Sequence, residues 1–213
     1  MTTAIIGVGN LGGTVARHLV DGGEPVVLAA KDDAHAKELA DELGPNASVA
    51  SVEDAIAEAD VVVLATWLDQ SRELVPPLAK LFENKIVIDP SNPIGFENGQ
   101  MIRTLPAGQS SGSVLLSLLP ASVHYVKAFG SLGAVQLAPD ANRDPRVVLF
   151  YATDDDAAEA SAQRLIRAAG FEPLKVGGLS AGARIEGPDG DLQGQVFDLD
   201  EARAAVAKEG ANA

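Results

Sequence analysis

The chain has 213 residues, 46% of them hydrophobic and 22% charged, which is enough apolar material for one full core with at most a small appendage. Its formal net charge of -14 argues against nucleic acids and anionic membrane surfaces, because both select basic proteins. It has no cysteine, which excludes disulfides and thiolate metal sites. No basic, apolar leader precedes the first apolar segment, and the longest apolar runs, Val61 to Ala65 and Val114 to Leu119, are far short of a bilayer span. The expectation is a cytoplasmic protein acting on a small molecule, with a homodimer left open.

The first element is a short apolar strand, Thr3 to Ile6, running into Gly7-Val8-Gly9-Asn10-Leu11-Gly12 and then an alanine-rich helical pattern through Leu19. Strand, glycine-rich turn and helix in this order form a dinucleotide fingerprint in its proper setting. Gly7 permits the tight turn, Gly9 lets backbone approach a pyrophosphate, and Gly12 lets the helix pack closely on the strand. The free N–H groups at the start of the helix then face the phosphates.

Val26 to Ala29 reads as the second strand and Ala34 to Leu43 as a helix stopped by Gly44-Pro45. Val52 to Ala59 is a short helix, Val61 to Ala65 a buried parallel strand, Ser71 to Phe82 a helix and Lys85 to Ile88 the next strand. Between Asp89 and Ser110 lies a stretch rich in Pro, Gly and Asn that reads as a long loop at the carboxyl ends of the strands. Ser113 to Leu119 reads as a helix, Ser122 to Lys127 and Val147 to Tyr151 as strands, Asp155 to Ala169 as a helix and Glu172 to Val176 as a strand. After Gly177 the pattern weakens, with a turn at Gly187-Pro188-Asp189-Gly190 and a last helix at Leu199 to Val206. The alternation predicts an α/β, Rossmann-type, doubly wound, mostly parallel sheet in a single domain with a short irregular C-terminal segment. The predicted division is a dinucleotide-binding unit with its substrate pocket at 1–186 and a partly helical or mobile extension at 187–213.

The end of the second strand selects the cofactor, because NAD-binding versions of this fold place a carboxylate there for the ribose 2′-hydroxyl. Here the position falls on Ala30, and Lys31 follows, which favours the 2′-phosphate of NADP(H). Asp32-Asp33 is the competing choice by counting and is assigned to capping the next helix. Asp154-Asp155-Asp156 is assigned to the start of its helix in the same way, and Ser110-Ser111 to the helix ahead of Val114. Asp89 can act as an acid or base or shape the loop at Pro90, and Trp67 can stack on a ring or pack in the interior. His18, His35 and His124 show no metal-ligand spacing, and no metal site is expected.

Four segments occur in one order: Ile5 to Gly13, Ile86-Val87-Ile88-Asp89-Pro90-Ser91-Asn92-Pro93, Val126 to Ala134, and Gly178 to Arg184. Over about residues 3–186 the chain resembles the F420-dependent NADP reductase family, whose members move a hydride between reduced coenzyme F420 and NADP. The resemblance implies that Gly9, Asn10 and Leu11 hold the pyrophosphate, Ala30 and Lys31 the 2′-phosphate, and Thr66 and Trp67 the loop over the dinucleotide. It places Asn92, Pro93, Ala128, Phe129 and Gly130 around the nicotinamide, and the second substrate among Ser91 to Pro93, Ser131 to Gly133 and Arg184. No catalytic proton donor is assigned, since hydride transfer between two bound rings needs chiefly proximity and orientation. Gly130 stands where deazaflavin-using members carry a polar residue, and the apolar C-terminal helix of archaeal members is replaced by Gly187 to Asp191. Lys127, Arg146 and Arg184 are the cations available to offset an anionic coenzyme tail. The implied activity is hydride exchange with F420. Reduction of a flavin, carbonyl or imine by NADPH, and an NADP sensor without turnover, are the alternatives.

Overall fold

The computed structural model describes residues 1–106 and 108–208. In chain order the elements are β1 (Thr3–Ile6), α1 (Asn10–Asp21), β2 (Val26–Ala29), α2 (Asp33–Leu43), β3 (Ala47–Val49), α3 (Val52–Glu58), β4 (Val61–Leu64), α4 (Leu68–Leu78) and β5 (Ile86–Asp89). There follow β6 (Ile94–Glu97), β7 (Gln100–Arg103), α5 (Ser111–Leu116), β8 (His124–Ala128), α6 (Ala134–Asp140), β9 (Val148–Ala152), α7 (Asp156–Ala168), β10 (Glu172–Gly177) and α8 (Leu199–Ala207). A 3-10 helix, Leu179–Ile185, joins β10 to the C-terminal segment.

The main sheet has eight strands in the order β10-β9-β8-β5-β4-β1-β2-β3, parallel except where β9 meets β8. This is the doubly wound Rossmann-type architecture expected from the strand–helix alternation. Because every central strand is covered on both faces, the apolar runs are continuous, yet alternate residues serve different layers. Ile5, Val61, Val63 and Ile88 join α1, α2, α6 and α7 in one core layer. Ala4, Ile6, Val62, Leu64 and Val87 join α3, α4 and α5 in the other. A third cluster seats α8 against β9 and β10 through Phe150, Val176 and Ala202.

Three elements were not expected. β3 adds an edge strand of three residues in register with β2. The segment read as a long loop contains the antiparallel hairpin β6–β7, whose Asn98 and Gly99 both have positive φ (50° and 78°), the requirement of a two-residue type I′ turn. α6 forms despite Pro139 near its end. Asp32, Ser110 and Asp155 each accept a backbone N–H at a helix start, as the sequence led one to expect. His124 at the head of β8 bonds Asp155 at 2.7 Å.

On the α7 side, Glu159 accepts from Lys175, and Tyr151 donates to it at 2.9 Å. The Lys175 hydrogen bond holds the Glu159 carboxyl below its usual range, outweighing partial burial. A depressed folded pKa gives stability that is present above the unfolded carboxylate value and lost as pH falls through the folded one. Glu159→Gln is therefore expected to lower the thermal midpoint at pH 7 by about 2–4 °C, and the difference from wild type should shrink as pH falls below the ordinary carboxylate range through the depressed folded value. Thermal melts across pH check this. An equal difference at pH 3 and pH 7 would show that charge is not the cause.

Candidate functional site

The chain leaves β1 toward β2 on one side, and after β3 it crosses back to β4 on the other, so the strand order reverses between β1 and β4. In open α/β sheets ligands bind outside the carboxyl ends of the strands at such a point. Here the two facing loops are Gly7–Gly9 and Ala65–Trp67. Their backbones meet closely: a Cβ on Gly7, whose φ is +94°, would lie 2.7 Å from the Ala65 carbonyl oxygen and 2.8 Å from Thr66 Cγ2. On Gly12 it would lie 1.9 Å from the Gly7 carbonyl oxygen. On Gly9 it would meet nothing within 4 Å. The three glycines thus divide as the fingerprint requires, two for close packing and one facing open space.

The starts of α2, α3, α5, α7 and α8 are capped by side chains of Asp32, Ser51, Ser110, Asp155 and Asp198. α1, which starts beside Gly9, and α4, which starts beside Trp67, have no side-chain cap. Unfilled N–H groups and the positive ends of two helices are thereby turned to the same crevice. Thr66 bonds Ser71 at 2.6 Å, which pins the second loop. Asn10 is exposed at the rim, and Leu11 is half-buried on the core. A cleft of about 470 Å³ opens beside Gly9 and Asn10, lined also by His35, Arg17 and Val135.

Ala30 is half-buried and Lys31 exposed at the end of β2. The Asp32 carboxylate accepts the Ala34 N–H at 3.0 Å through Oδ1, the capping role expected of it. Trp67 is not packed inside: it is 52% exposed, with its ring nearly perpendicular to that of Phe96 on the hairpin, 6.2 Å away between ring centroids. The interior alternative for Trp67 is therefore corrected.

The second half of the site lies beyond β5 and β8. Asn92, Pro93 and Gly130 come together there, but Ala128 and Phe129 are fully buried in the core layer and can offer only backbone. Phe129 has a φ of 65°, an uncommon left-handed backbone for a bulky residue and one that marks a constrained turn. Gly130 is not a vacancy for a larger polar residue: a Cβ there would lie 2.5 Å from the Pro90 carbonyl oxygen. A side chain at this position would therefore need the Pro90 backbone to shift.

Below these loops is a buried charge cluster that the sequence did not reveal. Lys127 Nζ lies 3.0 Å from Asp89 Oδ2 and 3.6 Å from Glu186 Oε1, all three side chains at most 2% exposed, and it also donates to the Ser91 carbonyl. Asp89 accepts from Tyr125 at 2.6 Å and from the Ser91 N–H at 2.7 Å, which makes it a loop-shaping residue. Burial and the adjacent Asp89 charge push the Tyr125 phenol well above its usual value. Glu186 accepts the Ser111 and Gly112 N–H groups at 2.9 and 3.1 Å, and the Ser111 hydroxyl at 2.7 Å. Lys127 is therefore unavailable to an anionic coenzyme tail. Arg184 also faces away from the pocket assigned to it, bonding Asp191 at 2.7 Å and the α8 carbonyls of Ala205 and Val206. Arg146 is exposed.

Strand order and crevice define a Rossmann-type α/β fold. Residues 2–93 match the family described as NADP oxidoreductase, coenzyme F420-dependent. The rat metalloreductase STEAP3 is 30% identical over 184 residues, 85% of this chain but 35% of that protein, so the chain spans about a third of its length. Among solved structures, a hypothetical protein from Sinorhizobium meliloti is 28% identical with a TM-score of 0.84, covering 94% of this chain and 96% of its own. A candidate F420-dependent NADP-reductase from Arthrobacter sp. FB24 is 24% identical with a TM-score of 0.73, covering 85% and 86%, which speaks for the fold alone. No described helix is long and apolar enough to cross a membrane.

The glycine geometry makes a direct prediction. Gly130→Ala is expected to lose about 1–3 kcal/mol of stability through overpacking against Pro90, whereas Gly9→Ala, in open space with an ordinary φ, changes it by less than about 0.5 kcal/mol. Urea unfolding of both variants checks this. Equal losses would show that Gly9 is not facing an open crevice.

Proposed function

We propose that the chain is an NADP(H)-dependent oxidoreductase that holds the dinucleotide across the β1/β4 crevice and passes a hydride between the nicotinamide and a small-molecule redox substrate, coenzyme F420 being the first candidate. The observation that carries this reading is the uncapped start of α1 beside an open Gly9, with Gly7 and Gly12 packed too closely for any side chain. Gly9, Asn10 and Leu11 would hold the pyrophosphate through backbone N–H groups. Lys31 would meet the 2′-phosphate. The capping role of Asp32 supports NADP(H) over NAD(H), because a carboxylate bound to its own helix is not offered to a ribose hydroxyl. Thr66 and Trp67 would border the dinucleotide, and the loops at Asn92–Pro93 and Phe129–Gly130 the nicotinamide.

When bound, NADP(H) supplies the hydride chemistry, and the protein contributes placement and exclusion of water. Reduction of a carbonyl would also need a proton donor. Tyr125 and Lys127 do not serve, being buried and committed to Asp89. This favours a ring acceptor that takes up hydride without a protein acid. A second reading, reduction of a flavin, is favoured by the exposed Trp67–Phe96 pair at the lip of the crevice.

NADPH should bind more tightly than NADH, and Lys31→Ala should weaken NADPH about tenfold while leaving NADH unchanged, the worth of one charge-assisted contact. Calorimetric titration measures both. An NADH preference removed by Asp32→Ala would assign the ribose to the wrong residue. Anaerobic mixing of NADPH with oxidised F420, FMN, FAD and a small carbonyl then identifies the acceptor by loss of the reduced-nicotinamide band. If NADPH binds and none of these oxidises it, the oxidoreductase reading fails and a sensor remains.

A further inference from the structure

The loop after β5, the loop after β8 and the C-terminal segment are far apart in sequence, yet one side chain ties all three. Asn92 Nδ2 donates to the Gly130 carbonyl at 3.0 Å, and Asn92 Oδ1 accepts the Gly187 N–H at 2.8 Å. Each end of its amide is thus engaged by backbone, which makes it an internal link between the two segments. The Gly187 anchor follows directly on Glu186, which the buried Lys127 cluster holds from below. Further along, the Gly194 N–H donates to the Ser131 carbonyl at 2.7 Å, and Gln136 Nε2 donates to the Gly194 carbonyl at 2.9 Å. The loop so restrained contains Phe129 in its left-handed backbone and Gly130 pressed on Pro90. Such a conformation persists only where its surroundings over-determine it.

We propose that Asn92 is a positioning residue of the hydride-transfer site: its amide staples the Phe129–Gly130 loop to the C-terminal segment at Gly187 and so sets the gap in which the nicotinamide lies. This rests on the proposed placement of the nicotinamide beside these loops. Asn92 acts through Gly130 and Gly187 and does not touch the ring. The chemistry of the link explains the residue type. A short planar group with one donor and one acceptor is required, which aspartate cannot supply at Gly130, alanine cannot supply at either end, and glutamine would supply one methylene too far. It also brings residues 186–194 into the site as a third wall.

The test compares wild type, Asn92→Ala and Asn92→Asp with NADPH as the probe. Because the phosphates are held elsewhere, affinity by calorimetry should stay within about threefold of wild type in both variants. The emission gain of bound NADPH, which reports immobilisation of its nicotinamide, should fall by half or more in both. With FMN or F420 as acceptor, whichever the wild type reduces, kcat should fall about ten- to a hundredfold with little change in KM for NADPH, as misplacement of reacting groups predicts. Hydrogen exchange should quicken at residues 129–131 and 187–194 and stay unchanged in β1 and β4. Wild-type emission and kcat in Asn92→Ala overturn the proposal. So does a common loss of melting temperature and NADPH affinity in both variants, which would make Asn92 a purely structural residue. If Asn92→Ala does not fold, Asn92→Asp, which keeps the Gly187 bond, carries the comparison. A wild type that gains emission but reduces no acceptor refutes the oxidoreductase reading alone, and the staple is then judged on emission and exchange. A wild type with no emission gain places the nicotinamide elsewhere and overturns both.

Discussion

The site depends on a backbone contact that no side chain can enter. α1 begins so close to the end of β1 that a methyl group on Gly12 would overlap the Gly7 carbonyl, and Gly7 in turn lies against Ala65 at the end of β4. This contact brings the starts of α1 and α4 to a common crevice, neither of them capped by a side chain. The unmet N–H groups cost stability in the empty protein and become useful when a phosphate accepts them. The starts of α2, α3, α5, α7 and α8 are capped by Asp or Ser; α6, which begins at Gly133, shares the lack of a side-chain cap, but only α1 and α4 begin at the β1/β4 crevice.

A second anchor holds the other half of the crevice by charge. Lys127 on β8, Asp89 at the end of β5 and Glu186 after the 3-10 helix form a buried ionic group with more carboxylate than ammonium. Such groups are weak sources of net stability, because desolvation offsets much of the attraction, but breaking one partner leaves an uncompensated charge. Hydrogen bonds from Tyr125 and from the first N–H groups of α5 take up the remaining carboxylate lone pairs. The cluster fixes where the loop after β5 and the C-terminal segment sit relative to each other. The amide of Asn92 makes the same connection one layer higher.

The central strands were legible because their continuous β-branched runs admit few other readings, and the fingerprint because each glycine has its own steric task. The hairpin β6–β7 was not, since its residues are mostly exposed and the two strands are too short, with adjacent apolar Met101 and Ile102 in the second, to show sustained alternation. Asn98-Gly99 is the available signal, diluted by the other Pro, Gly and Asn residues of the stretch between Asp89 and Ser110. Helix α6 is short and carries Pro139, which hides its periodicity. The buried cluster was out of reach because Asp89, Lys127 and Glu186 are far apart in sequence and none carries a local mark of its partner. Arg184 shows the limit of transferring roles by motif: its side chain bonds Asp191 and the α8 carbonyls of Ala205 and Val206.

The central claim is that the start of α1 receives the dinucleotide phosphates, and the most direct measurement is an NMR titration of the isotopically labelled chain with NADP. The account predicts the largest amide shifts at Gly9, Asn10 and Leu11, with smaller ones at Lys31 and Thr66, all following one saturating curve. Shifts confined to the C-terminal cleft around Leu192 and Phe197, with the Gly9 to Leu11 amides unmoved, would contradict it.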